Sequence, residues 1–284
     1  MEHWIKQPNL PEQPVTLAAA GVQFSSVLHD LEQMGIQTIP CGPDIRLPGP
    51  VQCHADMLLH HLGGPEAVVG SADMERRLCR YGLHPIRCDL PLAAHYPQDV
   101  QLNYCRLGRF LVGLFPPDTP SWVLSACSTT PLHKVPVRQG YAKCSIAVVN
   151  DHAVITADAG IQKALAALGI DVLLIRSGAV VLPGYDTGFF GGCCGKLSKD
   201  VLYLTGPLAS HPDGPSIRSF LPVSYTHLDV YKRQALYSVL TVIFSIITWA
   251  LSLYLLVFVI IGIVKAAKGV AVEIPVIGKI HLIK

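Results

Sequence analysis

The sequence lacks an excess of charge of either sign. It holds 22 Lys and Arg residues against 20 Asp and Glu residues, which gives a formal net charge of +2. Because binding to nucleic acid depends on basic groups that neutralise phosphates, this balance gives no reason to expect a nucleic-acid partner. The mean hydropathy of +0.40 is high for a soluble protein, but the apolar excess lies beyond Ala235. The average therefore describes neither part of the chain.

The N-terminus lacks a secretion signal, and the cysteines lack the spacing of a zinc site. Residues 1–14 contain no basic region followed by an apolar run and a small-residue cleavage site. The nine cysteines are odd in number and irregularly spaced, which is not the pattern of a disulfide framework. Neither Cys41 with Cys53 nor the adjacent Cys193 and Cys194 has the paired spacing of structural zinc. We therefore expect a reducing, cytoplasmic setting for this part, with no metal and no cofactor.

Residues 235–264 lack charge altogether. About 20 apolar residues suffice to cross the hydrocarbon core of a bilayer, so this run predicts one transmembrane helix. The alternative, a buried core helix, would have to be unusually long and apolar on every face. Lys265 and Lys268 follow the run and favour a cytoplasmic C-terminus. As written, the chain is expected to contact a membrane through this helix.

The tail beyond the apolar run carries a recognisable set of small and basic residues. These are Gly262, Lys265 to Gly269, Ile274, Pro275 and Gly278. They resemble the C-terminus of small bacterial membrane proteins related to the integral subunit of the Tic translocon. Those proteins have several spans, whereas this chain has one. The resemblance implies that residues 235–284 are a fragment of an unrelated membrane protein.

A short polar segment, VSYTHLDVYKRQ at residues 223–234, separates the two parts. It can be encoded by a DNA string that, with the last two bases of a Pro222 codon, is its own reverse complement. The segment resembles two inverted mosaic ends of the transposase used to fragment DNA for sequencing. A polar linker with a helix cap at Asp229 is the alternative. We expect residues 222–234 to be an artefactual junction in a chimeric sequence.

Residues 1–221 contain a weakly repeated unit of hairpin, helix and strand. In the clearest copy, apolar residues 144–149 and 153–156 flank Asn150-Asp151-His152, which predicts a hairpin. Ile161, Leu165 and Leu168 share one face of a predicted helix that Gly169 ends, and residues 171–175 predict a buried strand. A similar order recurs in other parts of the chain. Ser71 is expected to cap a second helix that Gly82 ends, and hairpins are expected within 101–114 and 185–204. Residues 21–40 predict a helix, a glycine and then a strand.

One copy departs from the pattern, because residues 116–136 hold too many prolines for the expected helix. Taken together, the units predict an α/β ring or barrel. Segments such as CHADM, GYAKCS, GIDVLLI and GYDTGFFGGCCGKL resemble a clostridial and Bacillus family of unknown function that is assigned to the guanidino-group-modifying (pentein) fold. The resemblance implies an incomplete pentein-like α/β-propeller, whose last strands are missing beyond Leu221, followed by the transmembrane helix.

The resemblance also implies a chemistry for particular residues. Pentein enzymes use a cysteine thiolate to attack a guanidinium carbon, a histidine to move protons and carboxylates to hold the planar cation. His54 and Asp56 reproduce the His-x-Asp element, and strand alternation would place both on one face. Their alternative role is to cap loop amides. The implied partner is a small guanidine or amidine, and no oligomeric state follows.

The resemblance leaves the nucleophile open. Cys144 fits the Gly-x-x-basic-Cys-small pattern but lies in an internal unit, whereas Cys193 and Cys194 lie in the last unit, one or two residues out of register. A buried, inert cysteine is the alternative for each of the three.

Asp158 and Asp186 are candidate cation ligands, and His211 is a similar case. Helix capping is the alternative for Asp158. The glycines before Cys193 predict a close backbone approach rather than a phosphate loop.

The sequence therefore supports three hypotheses about function. The first is a cysteine-dependent hydrolase or transferase acting on a guanidine or amidine. The second is a non-catalytic pentein that binds a partner or has a structural role. The third is a genuine single-span membrane-anchored protein.

Overall fold

The computed structural model describes residues 4–221, 226–229 and 231–267. The chain forms two compact units, residues 1–230 and 231–284, and each is described by itself. The first unit has mixed α/β structure, which confirms the predicted class. Its strands are β1 (Leu17–Gly21), β2 (Gln37–Cys41), β3 (Leu59–Gly63), β4 (Glu66–Val69), β5 (His84–Arg87), β6 (Cys105–Leu107), β7 (Phe110–Gly113), β8 (His133–Pro136), β9 (Ile146–Asn150), β10 (Ala153–Thr156), β11 (Asp171–Leu174), β12 (Cys194–Ser198), β13 (Val201–Leu204) and β14 (Thr226–Asp229).

Seven α-helices alternate with these strands in the described part of the first unit. They are α1 (Ser25–Gln33), α2 (Ala55–Leu58), α3 (Ala72–Cys79), α4 (Ser121–Thr129), α5 (Ala142–Ser145), α6 (Ala159–Ala166) and α7 (Gly214–Phe220). Short 3₁₀ turns lie at Gln98–Val100, Phe190–Cys193 and Leu208–Ser210.

The sheets repeat one topology. Four have three strands, in the orders β3-β4-β5, β6-β7-β8, β9-β10-β11 and β12-β13-β14. In each, the middle strand pairs antiparallel with the strand before it and parallel with the strand after it. A helix separates the two parallel strands every time, as parallel pairing requires a crossover. A fifth sheet pairs β1 parallel with β2 across α1. The predicted order of hairpin, helix and strand is thus present in each three-stranded sheet.

The best-predicted copy shows why the sequence folds this way. Asp158 caps α6 by accepting a hydrogen bond of 2.8 Å from the Ile161 N–H, and Ile161 and Leu165 are completely buried. Burying such a side chain contributes about 1.5–3 kcal/mol. Gly169 adopts φ +78° just after the helix, as predicted. The expectation for Leu168 was wrong: it is 43% exposed, because α6 ends at Ala166 and the chain turns away from the core.

One further expectation needs correction. A helix does form within residues 116–136, because the prolines flank α4 instead of interrupting it; Pro120 directly precedes its first residue, where a proline costs no helical hydrogen bond. The sheet β12-β13-β14 has all three strands, whereas the fifth sheet has only β1 and β2 among the described residues. Residues 226–229, predicted to be part of a junction, pair parallel with β13. An open strand edge accepts any extended segment, since the pairing uses main-chain groups.

The second unit contains α8 (Tyr231–Ala266). Within it, Phe244–Ile261 is long and apolar enough to cross a membrane, with a mean hydropathy of 2.5 and none of the window buried. The predicted span therefore forms a helix of suitable length and composition. Five of the residues that carry the Tic-like resemblance lie outside the described residues: Lys268, Gly269, Ile274, Pro275 and Gly278.

Candidate active site

The site is built from the short segments that precede the first strand of each three-stranded sheet. Asn103 lies two residues before β6, and Cys144 lies two residues before β9. Asp56 lies in α2, directly before β3, and the turn Phe190–Cys193 leads into β12. A Cβ on Gly191 would lie 2.5 Å from the Ile146 carbonyl oxygen and 2.7 Å from that of Cys144. Glycine therefore lets these segments approach closely, as the sequence predicted.

Four residues from these segments form what we call the central cluster: Asp56, Asn103, Lys143 and Cys144. The Cys144 thiol is 6% exposed and donates a hydrogen bond of 2.9 Å to Asp56 Oδ2. Asn103 Nδ2 donates to the same sulfur at 3.1 Å. The thiol is thus held between a carboxylate acceptor and an amide donor from two other repeats.

Asn103 connects the repeats. It is 1% exposed, and its Oδ1 accepts the main-chain N–H groups of Lys143 at 2.9 Å and Cys144 at 3.1 Å. Its Nδ2 also lies 3.2 Å from the Asp56 carbonyl oxygen. The side chain therefore joins α2 to α5 and supplies the acceptor for the buried Cys144 N–H.

The electrostatics of the cluster keep the thiol protonated. Burial raises the pKa of Cys144 well above its ordinary value, and the Asp56 carboxylate raises it further, while Asn103 and Lys143 act in the opposite direction. Burial acts to lower the pKa of Lys143, but Cys105, Asp56 and neighbouring thiols outweigh it, so that this pKa is raised.

The His-x-Asp element is present, but not as a strand. His54 precedes α2 and Asp56 lies in its first turn, so the expectation of strand alternation was wrong. Four residues of helix form here because the main-chain N–H of Met57 turns back to the His54 carbonyl oxygen. His54 Nε2 is buried and has no hydrogen-bond partner among the described residues. Its ring packs edge-on against Phe24 at 5.2 Å between centroids.

Cys193 and Cys194 approach the cluster from the last repeat. Burial raises the pKa of the Cys193 thiol, and a hydrogen bond with Thr205 partly offsets this. Burial raises the pKa of Cys194 to about 12, against the opposing charge of Lys143. The Cys194 thiol donates to the Gly191 carbonyl oxygen at 3.6 Å. Among the described side chains, Cys144 is the cysteine whose thiol hydrogen-bonds to Asp56.

The other predicted residues lie apart from these hydrogen bonds. Asp158 caps α6, which is the alternative that the sequence offered, and Asp186 lies on an exposed loop. Among the described residues no group of three or more His, Cys, Asp or Glu side chains is placed to hold a metal ion.

Sequence reasoning missed Asn103, although one signal was available. Asn103 and Cys144 occupy the same position relative to the first strand of their repeats. It also missed Asp99, a buried residue that accepts a hydrogen bond from the Tyr141 hydroxyl at the start of α5. Both residues hold the segment that carries Cys144.

Three solved structures have a similar chain path, but the similarity is remote. A Pseudomonas aeruginosa DDAH mutant complexed with citrulline shares 10% identity over 78% of this chain and 94% of its own, with a TM-score of 0.49. A C. jejuni agmatine deiminase shares 9% identity over 82% and 93%, with a TM-score of 0.46. An amidinotransferase from Microseira wollei shares 10% identity over 73% of each chain, with a TM-score of 0.46.

Sequence comparison identifies the family. No curated protein matches the sequence. A family of unknown function, DUF6873, matches residues 22–239, a range that includes residues 222–234. Because this match covers more than half of the chain, the protein belongs to the DUF6873 family.

Proposed function

We propose that the first unit is a pentein-class enzyme that acts on a guanidine or amidine as a hydrolase or transferase. Cys144 is the nucleophile and Asp56 binds the cationic group. The observation that carries this proposal is the hydrogen bond of 2.9 Å between Cys144 Sγ and Asp56 Oδ2. The repeated order of hairpin, helix and strand supports the assignment to the pentein class.

The proposal gives the substrate's charge a role in activation. In the resting site the Asp56 carboxylate raises the pKa of the Cys144 thiol. A planar amidinium that donates its N–H groups to Asp56 neutralises that carboxylate and places a positive charge beside the sulfur. Both changes lower the pKa of the thiol. The thiolate then forms only when a cation of the right shape is bound.

The reaction follows from this arrangement. Cys144 Sγ adds to the amidine carbon, a C–S bond forms, and the C–N bond to the leaving amine breaks. The thiol proton passes to the leaving amine, through Asp56 or through His54, whose Nε2 is buried and unpartnered among the described residues. Water then releases the product in a hydrolase, or a second amine does so in a transferase, and the thiol is regenerated.

A covalent probe tests the proposal without knowledge of the substrate. 2-Chloroacetamidine carries an amidinium for Asp56 and an alkyl chloride for the sulfur, while 2-chloroacetamide is its uncharged counterpart. At pH 7.5 we expect the amidine to alkylate Cys144 of the full chain in detergent at least about tenfold faster than the amide, because only the cation lowers the thiol pKa. Peptide mapping by mass spectrometry measures both rates.

The Asp56→Asn variant is the matched control, since it keeps the hydrogen-bonding shape and removes the charge. We expect it to abolish the preference for the amidine. Equal labelling by both reagents in the unmodified protein would contradict the proposal, as would labelling of Cys193 or Cys194 in place of Cys144.

A specific observation favours a second candidate function, a non-catalytic binding or structural protein. The polar atoms of Asn103 and the Cys144 thiol already have internal partners, and burial raises the thiol pKa. Such a cluster can hold three repeats together without taking part in a reaction. On this reading, neither chloro reagent modifies Cys144 until the protein unfolds.

We also propose that residues 222–234 join two unrelated gene fragments. Residues 223–234 can be encoded by a self-complementary DNA string, which supports the proposal, and a genuine membrane-anchored protein is the alternative. Amplification across the codons of residues 221–235 from source DNA, sequenced without a transposase step, is expected to give no product, with each flank extending into its own gene. A product that contains the self-complementary stretch would establish one membrane-anchored chain.

A further inference from the structure

A second polar site lies beside the central cluster and plays no part in the proposed reaction. A cavity of about 180 Å³ is lined by residues from the last two repeats. Its polar side chains include Gln139, Ser145, Asp158 and His211, and its apolar walls include Ile175 and Phe190. Ser145 follows Cys144 directly and lines this cavity, and its hydroxyl makes no hydrogen bond to the described residues of the central cluster.

Two buried polar atoms in the lining have no hydrogen-bond partner among the described residues. Ser145 is 3% exposed and His211 is 8% exposed, yet Ser145 Oγ and His211 Nε2 both lack a partner. A buried polar group without a partner is costly, and native proteins rarely leave two in one place. Both residues line the cavity, so a molecule bound there is the candidate partner for both atoms.

The surrounding bonds determine which proton His211 offers. Its Nδ1 accepts the main-chain N–H of Asp213 at 3.0 Å, and Arg176 fixes the Asp213 carboxylate through Nε at 2.9 Å. Burial lowers the pKa of His211, so the ring is neutral and carries its proton on Nε2. His211 therefore presents an N–H donor to the cavity.

The charges of the lining select the type of ligand. The His211 donor and the Ser145 hydroxyl require an acceptor such as a carbonyl oxygen. Asp158 uses Oδ1 to cap α6 and lines the cavity as a carboxylate, while the charge of Arg176 is paired with Asp213. An anion is therefore disfavoured. A group that offers both a carbonyl oxygen and N–H donors satisfies His211, Ser145 and Asp158 together.

We propose that this cavity binds a small uncharged molecule with an amide or ureido group, whose carbonyl oxygen accepts hydrogen bonds from His211 and Ser145. The apolar walls take a short aliphatic substituent. The site does not depend on Cys144 acting as a nucleophile, so its test is independent of the proposed function.

The probes are isobutyramide and isobutyrate, which have nearly the same shape and differ in charge. The full chain, labelled with ¹⁵N-histidine in detergent, is titrated with each at millimolar concentration. We expect isobutyramide to produce a saturable shift of the His211 Nε2 resonance and isobutyrate to produce none. The Ser145→Ala variant is expected to weaken isobutyramide binding about three- to tenfold, the effect of one neutral hydrogen bond.

Ser125→Ala is the control, because Ser125 is exposed on α4 and lies outside the lining. Three results would overturn the proposal. No saturable shift would mean that the cavity holds solvent only. Equal or tighter binding of isobutyrate would mark an anion site. Equal loss of affinity in Ser125→Ala and Ser145→Ala would show that isobutyramide binds outside this cavity. If Ser145→Ala does not fold, the titrations of the unmodified protein with the two probes test the proposal.

Discussion

Cys144→Ala is expected to abolish turnover of guanidines and amidines by the full chain. If Cys144 forms the covalent intermediate, its removal leaves only binding and electrostatic effects, and the loss should be about 10³-fold or more. A panel of guanidines and amidines, assayed for amine or ammonia release, first identifies a substrate for the unmodified protein. The variant's kcat with that substrate then measures the effect.

Two other cysteines make the test specific. Cys79→Ala is the control, because Cys79 is exposed and lies on α3, and it should retain full activity. Cys194→Ala removes the rival nucleophile. Its kcat should equal that of the unmodified protein, because Cys144 is still present. Loss of activity in Cys194→Ala alone would transfer the role to Cys194. A panel in which the unmodified protein turns over nothing would favour the non-catalytic reading.

Asn103→Ala is expected to give the largest loss of stability of any change in the central cluster. The substitution removes the acceptor for the buried Cys144 N–H and a donor to the Cys144 thiol. The Lys143 N–H loses one of its two acceptors and keeps the main-chain carbonyl oxygen of residue 103 at 3.2 Å. Each buried group left without a partner costs about 1–3 kcal/mol, so we expect a decrease of about 3 kcal/mol in the free energy of unfolding. For a unit of this size, that corresponds to a decrease in Tm of about 6–12 °C.

Asn150→Ala is the matched control for this measurement. Asn150 also accepts a main-chain N–H, from His152 at 2.8 Å, but it does so in an exposed turn where water can replace it. We expect a cost below about 1 kcal/mol. Equal effects of the two substitutions on thermal unfolding would show that Asn103 does not hold the repeats together.

The repeats were predictable from sequence because their determinants are local. The turn at Asn150-Asp151-His152, the Asp158 cap and the positive φ of Gly169 each involve neighbouring residues. The hairpin of β9 and β10 was therefore placed correctly. Residues at the ends of elements were less predictable: Leu168 fitted the helical period but falls after the end of α6, and α4 begins just after a proline that argued against it.

The candidate site was only partly predictable. The residue types needed for guanidine chemistry were visible at His54, Asp56 and the three cysteines, yet their spacing could not rank Cys144 above Cys193 and Cys194. The ranking depends on a contact between residues 88 positions apart. Asn103 carries no reactive group, and only its contacts with two other repeats reveal its role.

The sequence by itself determined the mixed α/β class, the repeated unit, the apolar helix and the set of residues that could react. Periodicity, capping and charge are properties of neighbours along the chain, so a single sequence contains them. Only the tertiary structure decided that Cys144 meets Asp56, that Asn103 joins the repeats and that Ser145 and His211 share one cavity. These pairings arise when separate repeats pack together, and distance along the chain carries no information about which of their side chains will meet.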